Sequence, residues 1–178
     1  MVIIKVLFRY LLITLLLTFC TFPWNQSLGE TEGFSLEGNS KVDLKYKEKE
    51  ITCITRLLWY EARGEPNEGI KAVLSVVKNR TEHPKYPGSY CEVEQQPKQF
   101  SYFKKGRAYK IKPKNSTEET KLDYIQNLAY DAVHGRFEGV LPSSVIFYMR
   151  KELDASKYLT RAEGYSRIGT HRFYKTVN

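Results

Sequence analysis

An apolar stripe that ends in a carboxylate constrains this chain most. Between Lys47 and Ala62, the residues Ile51, Ile54, Leu57, Leu58 and Glu61 fall at i, i+3, i+6, i+7 and i+10. That spacing puts all five on one face of a helix. Such a face has to be buried against other elements, and Glu61 goes inward with it. Gly64 is suited to end the helix. Burial strips a carboxylate of hydration and raises its pKa. The negative end of the helix dipole pushes the same way. A carboxylic acid still protonated near neutral pH can act as a general acid. Trp59 and Tyr60 would give it an apolar wall. Periodicity alone leaves a second reading open, in which Glu61 simply pairs with Arg63 or another arginine.

A second helix is expected from Pro66 to Arg80, with Ile70, Val73, Leu74 and Val77 as its buried stripe. Lys71, Lys78 and Arg80 are read as facing elsewhere, and Asn79-Arg80 as a structural turn. His83 to Gly88 breaks regular structure. Residues 89–114 read as an irregular loop, long enough to suggest a functional segment. A third helix follows, with Ser116 and Glu119 at capping-box spacing and Leu122, Ile125, Ala129, Ala132 and Val133 on its apolar face. Val145–Met149 and Arg172–Val177 read as short strands. The expected fold class is α+β, mainly helical, with a small β element.

The first 27 residues bear on compartment. Lys5 and Arg9 precede an uncharged stretch from Tyr10 to Trp24. It is shorter than the roughly 20 residues of a full membrane span and fits the apolar region of a signal peptide. No small-x-small cleavage triplet follows, so an uncleaved membrane anchor, as in a signal-anchor endolysin, is the alternative. Phe19 beside Cys20 argues against a lipoprotein site. Residues 28–47 read as a linker, and 48–178 as the exported domain. Export would permit a Cys53–Cys91 bridge; two buried thiols are equally compatible with the sequence. The net charge of +8 favours acidic partners without choosing among them. Export argues against nucleic acid. Lys104, Lys105, Arg107, Lys110, Lys112 and Lys114 form a mild basic cluster, read as a solvated loop.

The stretch Leu57-Leu-Trp-Tyr-Glu-Ala-Arg-Gly-Glu-Pro66, continued through Asn79-Arg80, resembles the core motif of SleB-type cell wall hydrolases. That family includes spore cortex-lytic enzymes. The likeness runs on through Tyr86-Pro87, Cys91-Glu-Val93 and Gln99-Phe-Ser101 to Ile168-Gly-Thr-His-Arg-Phe-Tyr174. Together these motifs cover about residues 50–175. Gly139 to Ile146 departs from the relatives' pattern. The resemblance implies a lysozyme or lytic transglycosylase-like fold, with Glu61 as the catalytic acid acting on peptidoglycan glycan strands.

One carboxylate suffices for a lytic transglycosylase that makes a 1,6-anhydro sugar. A hydrolytic muramidase wants a second, about 5–9.5 Å away. Glu65 is the nearest in sequence, though an acid at a helix start also suits the dipole. Arg63 is read as a substrate-orienting group or an ion-pair partner. Gln99, Phe100 and Ser101 are candidate cleft residues on a loop. His171 is read as a structural or a site histidine, and Tyr148 and Tyr174 as sugar-stacking or core rings. No cofactor or metal is expected, since His83, His134 and His171 lie far apart and no His-Glu-x-x-His occurs. A monomer is expected. The rival readings are a wall amidase and a non-catalytic wall-binding module.

Overall fold

The computed structural model describes residues 36–103, 110–154, 159 and 161–177. The N-terminal apolar stretch, the linker up to residue 35, and Lys104, Lys105 and Arg107 lie outside the described residues. Seven elements follow in order: α1 (Leu36–Ala62), α2 (Asn67–Thr81), α3 (Tyr90–Glu94), α4 (Ser116–Val133), β1 (Val145–Arg150), β2 (Ala162–Ile168) and β3 (His171–Thr176).

α1 begins at Leu36 rather than Lys47, so residues 36–47 are helical. Its first half has no buried stripe, which is why periodicity misses it. Good helix formers such as Lys and Glu sustain it, together with an Asp43–Lys47 pair at i, i+4. Burial starts at Glu50. From there Ile54, Leu57, Leu58, Trp59 and Ala62 enter the core.

α2 is the central helix, with Ile70, Ala72, Val73, Leu74, Val76 and Val77 all buried. It packs against β1, α3, α4 and β2. Pro66 is its N-cap rather than its first helical residue. Polar side chains tie α2 to the segment that leads into β1. Ser75 Oγ accepts from Val140 N at 2.8 Å. Asn79 Nδ2 donates to Pro142 O and Val145 O. Arg80 Nε donates to Ile146 O at 2.9 Å. Arg80 is therefore buried, 5% exposed, and does not face away from the core as its charge suggested.

Two other expectations shift. The loop expected over residues 89–114 contains α3, capped at its start by Ser89 and by Glu50, whose Oε2 accepts from Tyr90 N at 2.7 Å. The cap of α4 is Asn115, paired with Glu118, one residue earlier than the Ser116/Glu119 reading. Cys53 on α1 and Cys91 on α3 are joined by a disulfide, with 5.1 Å between their Cα atoms. Both are buried. Replacing Cys53 with Ser is expected to cost about 3 kcal/mol by freeing the unfolded chain. A urea titration would register that as a lower midpoint, matched by wild type under reductant.

The three strands form an antiparallel sheet in the order β1-β3-β2. β2 was not expected. It is a mostly exposed edge strand, with only Ile168 packed against the core, so it lacks the alternation that marks a half-buried strand. A two-residue turn, Gly169-Thr170, joins β2 to β3, and Ile168 pairs with His171 across it. β1 and β3 pair so that Tyr148 lies opposite Phe173 and Arg150 opposite His171.

Candidate active site

Glu61 sits in the last turn of α1, before the chain turns at Gly64 into α2. It lines two adjoining hollows. One, of about 320 Å³, is walled by Gln99, Phe100 and Ser101 with Arg80, Tyr148 and Met149. The other, of about 280 Å³, is walled by Arg63, Gly64, Glu65 and Thr170. Tyr60, Glu61, Arg150 and His171 border both. The carboxyl thus stands where the two hollows meet. Two larger hollows, about 600 and 690 Å³, have no carboxyl group in their walls. Neither can supply a side-chain acid.

Burial pushes the Glu61 carboxyl above the usual carboxylate range, while the Tyr148 hydroxyl and the Arg150 charge pull it partly back. The Tyr148 hydroxyl donates to Glu61 Oε2 at 3.5 Å, a long contact. No ion pair joins Glu61 to Arg63 or to another described base. Arg63 instead donates to Trp59 O at 3.0 Å and lies over the Trp59 ring. The group is consequently a part-buried acid that opens onto a cleft.

Glu65 is placed differently. It is 7% exposed, and its carboxylate is spent on the β2–β3 turn. Oε2 accepts from Thr170 N at 2.8 Å, and Oε1 accepts from the Thr170 hydroxyl. The approach is so close that a Cβ at residue 169 would fall 1.9 Å from Oε2, and Gly169 also has φ +59°. Only glycine meets both demands. Glu65 therefore fastens the turn preceding His171, and its free-carboxylate reading gives way to that role. His171 Nδ1 lies 3.5 Å from Glu65 Oε1. Burial holds this imidazole below its usual pKa. Its ring meets Tyr148 edge to face at 5.2 Å, which sets the phenol that faces Glu61.

The structure thus brings Glu61, Arg63, Gln99, Phe100, Ser101, Tyr148 and His171 around one cleft. Tyr174 is not among the lining residues. It lies one position out of phase with His171 and Phe173, and alternate residues of a strand point to opposite faces. Tyr60, expected as an apolar wall, lines it too, and Arg80, Met149, Arg150 and Leu153, which the sequence reading did not place there, complete it. Two of them had a signal. Arg150 is two residues from Tyr148, on the same strand face. Arg80 continues the Val73, Val77 helical stripe.

The profile of the cell wall hydrolase family matches residues 64–174, more than half of the chain. This chain belongs to the cell wall hydrolase family. The match starts three residues after Glu61, so the acid itself lies just outside it. A spore cortex-lytic enzyme of Bacillus subtilis is 28% identical over 129 residues, covering 72% of this chain and 38% of the relative. One from Oceanobacillus iheyensis is 27% identical over 131 residues, covering 73% and 43%. The chain thus spans less than half the length of these curated relatives. Among solved structures, the catalytic domain of the germination-specific lytic transglycosylase SleB from Bacillus anthracis superposes with a TM-score of 0.53. It is 25% identical, and the match covers 71% of this chain and 93% of that one. The mainly helical α+β fold is that of the SleB catalytic domain.

Proposed function

We propose that this cell wall hydrolase is a lytic transglycosylase that cuts peptidoglycan glycan strands between N-acetylmuramic acid and N-acetylglucosamine. One observation supports this most. Among the described residues, Glu61 is the sole carboxyl lining the two hollows that is not already committed, because Glu65 is bound to Thr170. A hydrolase of the two-carboxylate kind would need a second free acid about 5–9.5 Å away. The SleB likeness points the same way, since that protein is a lytic transglycosylase.

Glu61, protonated, gives its proton to the glycosidic oxygen as the bond from that oxygen to C1 of the muramyl residue breaks. The muramyl 6-hydroxyl closes on C1, and its proton returns to the Glu61 carboxylate. A 1,6-anhydro end forms, no water is consumed, and the acid is restored. Tyr148 and Arg150 favour the ionised form that exists between the two proton transfers. Gln99, Phe100 and Ser101 bind sugar on one side of Glu61, and Arg63 binds on the other. Residues 48–178 are the catalytic domain and act as a monomer. Residues 1–27 take it across the membrane, in keeping with a disulfide that an oxidising compartment maintains.

Digestion of purified sacculi by the intact protein, followed by mass spectrometry of the fragments, tests the reading. Anhydro-muramyl ends are expected. Reducing muramic ends would instead mean hydrolysis, and free stem peptides would move the activity to an amide bond.

A further inference from the structure

The cleft holds more positive charge than Glu61 uses. Arg80 is 5% exposed, yet no carboxylate lies within ion-pair distance among the described residues. Only its Nε–H is hydrogen-bonded, to the Ile146 carbonyl. Its guanidinium lies over the Tyr86 ring at 5.4 Å, which offsets part of the cost of burial. An unpaired buried cation is ordinarily expensive, and proteins keep such groups paired. Arg80 lines the Glu61 hollow, from which a partner for its remaining donors can come.

Arg150 repeats the pattern. It is exposed, borders both hollows, and has no ion pair among the described residues. Its charge lowers the Glu61 carboxyl, and that of Arg80 acts on the Tyr148 hydroxyl, which donates to Glu61. Arg80 and Arg150 line the same hollow as Glu61 and are thus placed to meet a group on the same substrate. The walls of this hollow contain no acid other than Glu61.

We propose that Arg80 and Arg150 form a carboxylate-binding subsite beside Glu61, which takes an acidic group of the peptide stem borne by the muramyl residue. The subsite makes the enzyme select glycan that still has acidic peptide over neutral glycan. Guanidinium is suited to the task, since its fork matches a carboxylate bidentately. This inference rests on the peptidoglycan reading above.

Soluble peptidoglycan fragments, native and with their carboxyl groups capped as methylamides, separate the possibilities. Capping is expected to raise the wild-type KM about tenfold with kcat little changed, the size of a lost charge-assisted hydrogen bond. Arg80→Met should raise KM on native fragments by a similar factor and lose nothing further on capped ones. Arg150→Ala, at an exposed position where folding is not at stake, should show the same convergence of KM with a smaller factor, about threefold, while its kcat shifts alike on both substrates because Arg150 also acts on Glu61. A wild type indifferent to capping overturns the proposal. So do variants whose KM rises equally on both substrates, and so does an Arg80→Met protein whose Tm falls while its preference for native fragments stays.

Binding by Glu61→Gln protein, measured by calorimetry on the two fragment sets, is independent of turnover. A Kd that splits between native and capped fragments, alongside a wild type that makes no glycan ends, keeps the subsite and sinks the cleavage reading. Equal Kd values with normal cleavage sink the subsite alone.

Discussion

Glu61→Gln is expected to reduce glycan cleavage by about 10³-fold or more while leaving the fold intact. A positioned acid or base contributes about 10²–10⁴-fold, and here one group does both. Glutamine keeps the shape and can still accept from Tyr148, so binding should survive. The variant should also be no less stable than wild type at neutral pH. Burial raises the Glu61 carboxyl in the folded protein. A carboxyl raised on folding adds stability that is fully present below its unfolded pKa. That contribution is lost as pH climbs through the higher, folded value. The wild type loses it progressively as pH rises, and glutamine has no charge to lose. Thermal melts at pH 4 and pH 7 check this: the gain from Glu61→Gln should be larger at pH 7. The same shift sets the alkaline limb of activity. The proton to be donated is present below the folded pKa, so rate should fall as pH rises through it. Glu65→Gln is the contrast. Its carboxylate holds Thr170, so it should cost stability, which Glu61→Gln should not.

What the sequence could say about this site follows from where each constraint lies. The stripe that ends in Glu61 was legible because one buried helix face imposes its period on neighbouring residues. The disposition of Glu65 was not, because its partner Thr170 is 105 residues away. β2 escaped notice for a related reason. Its residues pair through backbone groups, and with only Ile168 packed against the core its side chains record no continuous buried face. Arg80 is the instructive error. Its spacing from Val73 and Val77 placed it on the buried stripe, and its charge argued it outward. The charge lost because Ile146 O and the Tyr86 ring wait for it on β1 and on the segment after α2. Of the two roles open to Tyr174, sugar-stacking or core ring, strand alternation turns it from the cleft lining and leaves it buried.

Glu94→Ala is expected to cost about 3–5 kcal/mol, the range seen when one partner is removed from a buried pair. Glu94 is 0% exposed. Its Oε1 accepts from Arg56 Nε at 2.6 Å, and its Oε2 accepts from Arg56 Nη2 at 2.5 Å. The Tyr102 hydroxyl donates to Oε1 at 2.9 Å. Alanine would leave a half-buried guanidinium and a buried phenol without their acceptor. The effect should reach the cleft. Tyr102 stacks on Tyr60 at 4.7 Å, and Tyr60 borders both hollows beside Glu61. Gln99, Phe100 and Ser101 lie between Glu94 and Tyr102 in the chain, so the wall they form hangs on the same carboxylate. Urea unfolding measures the stability loss, and KM should rise more than kcat falls, since the wall binds sugar and does not transfer the proton. The double variant Glu94→Leu, Arg56→Met decides what the pair is for. Replacing both charges with apolar groups of similar size is often neutral for stability. If stability returns while KM stays high, the pair fixes the position of the cleft wall. If both return together, the pair is only an expensive way to fill the core.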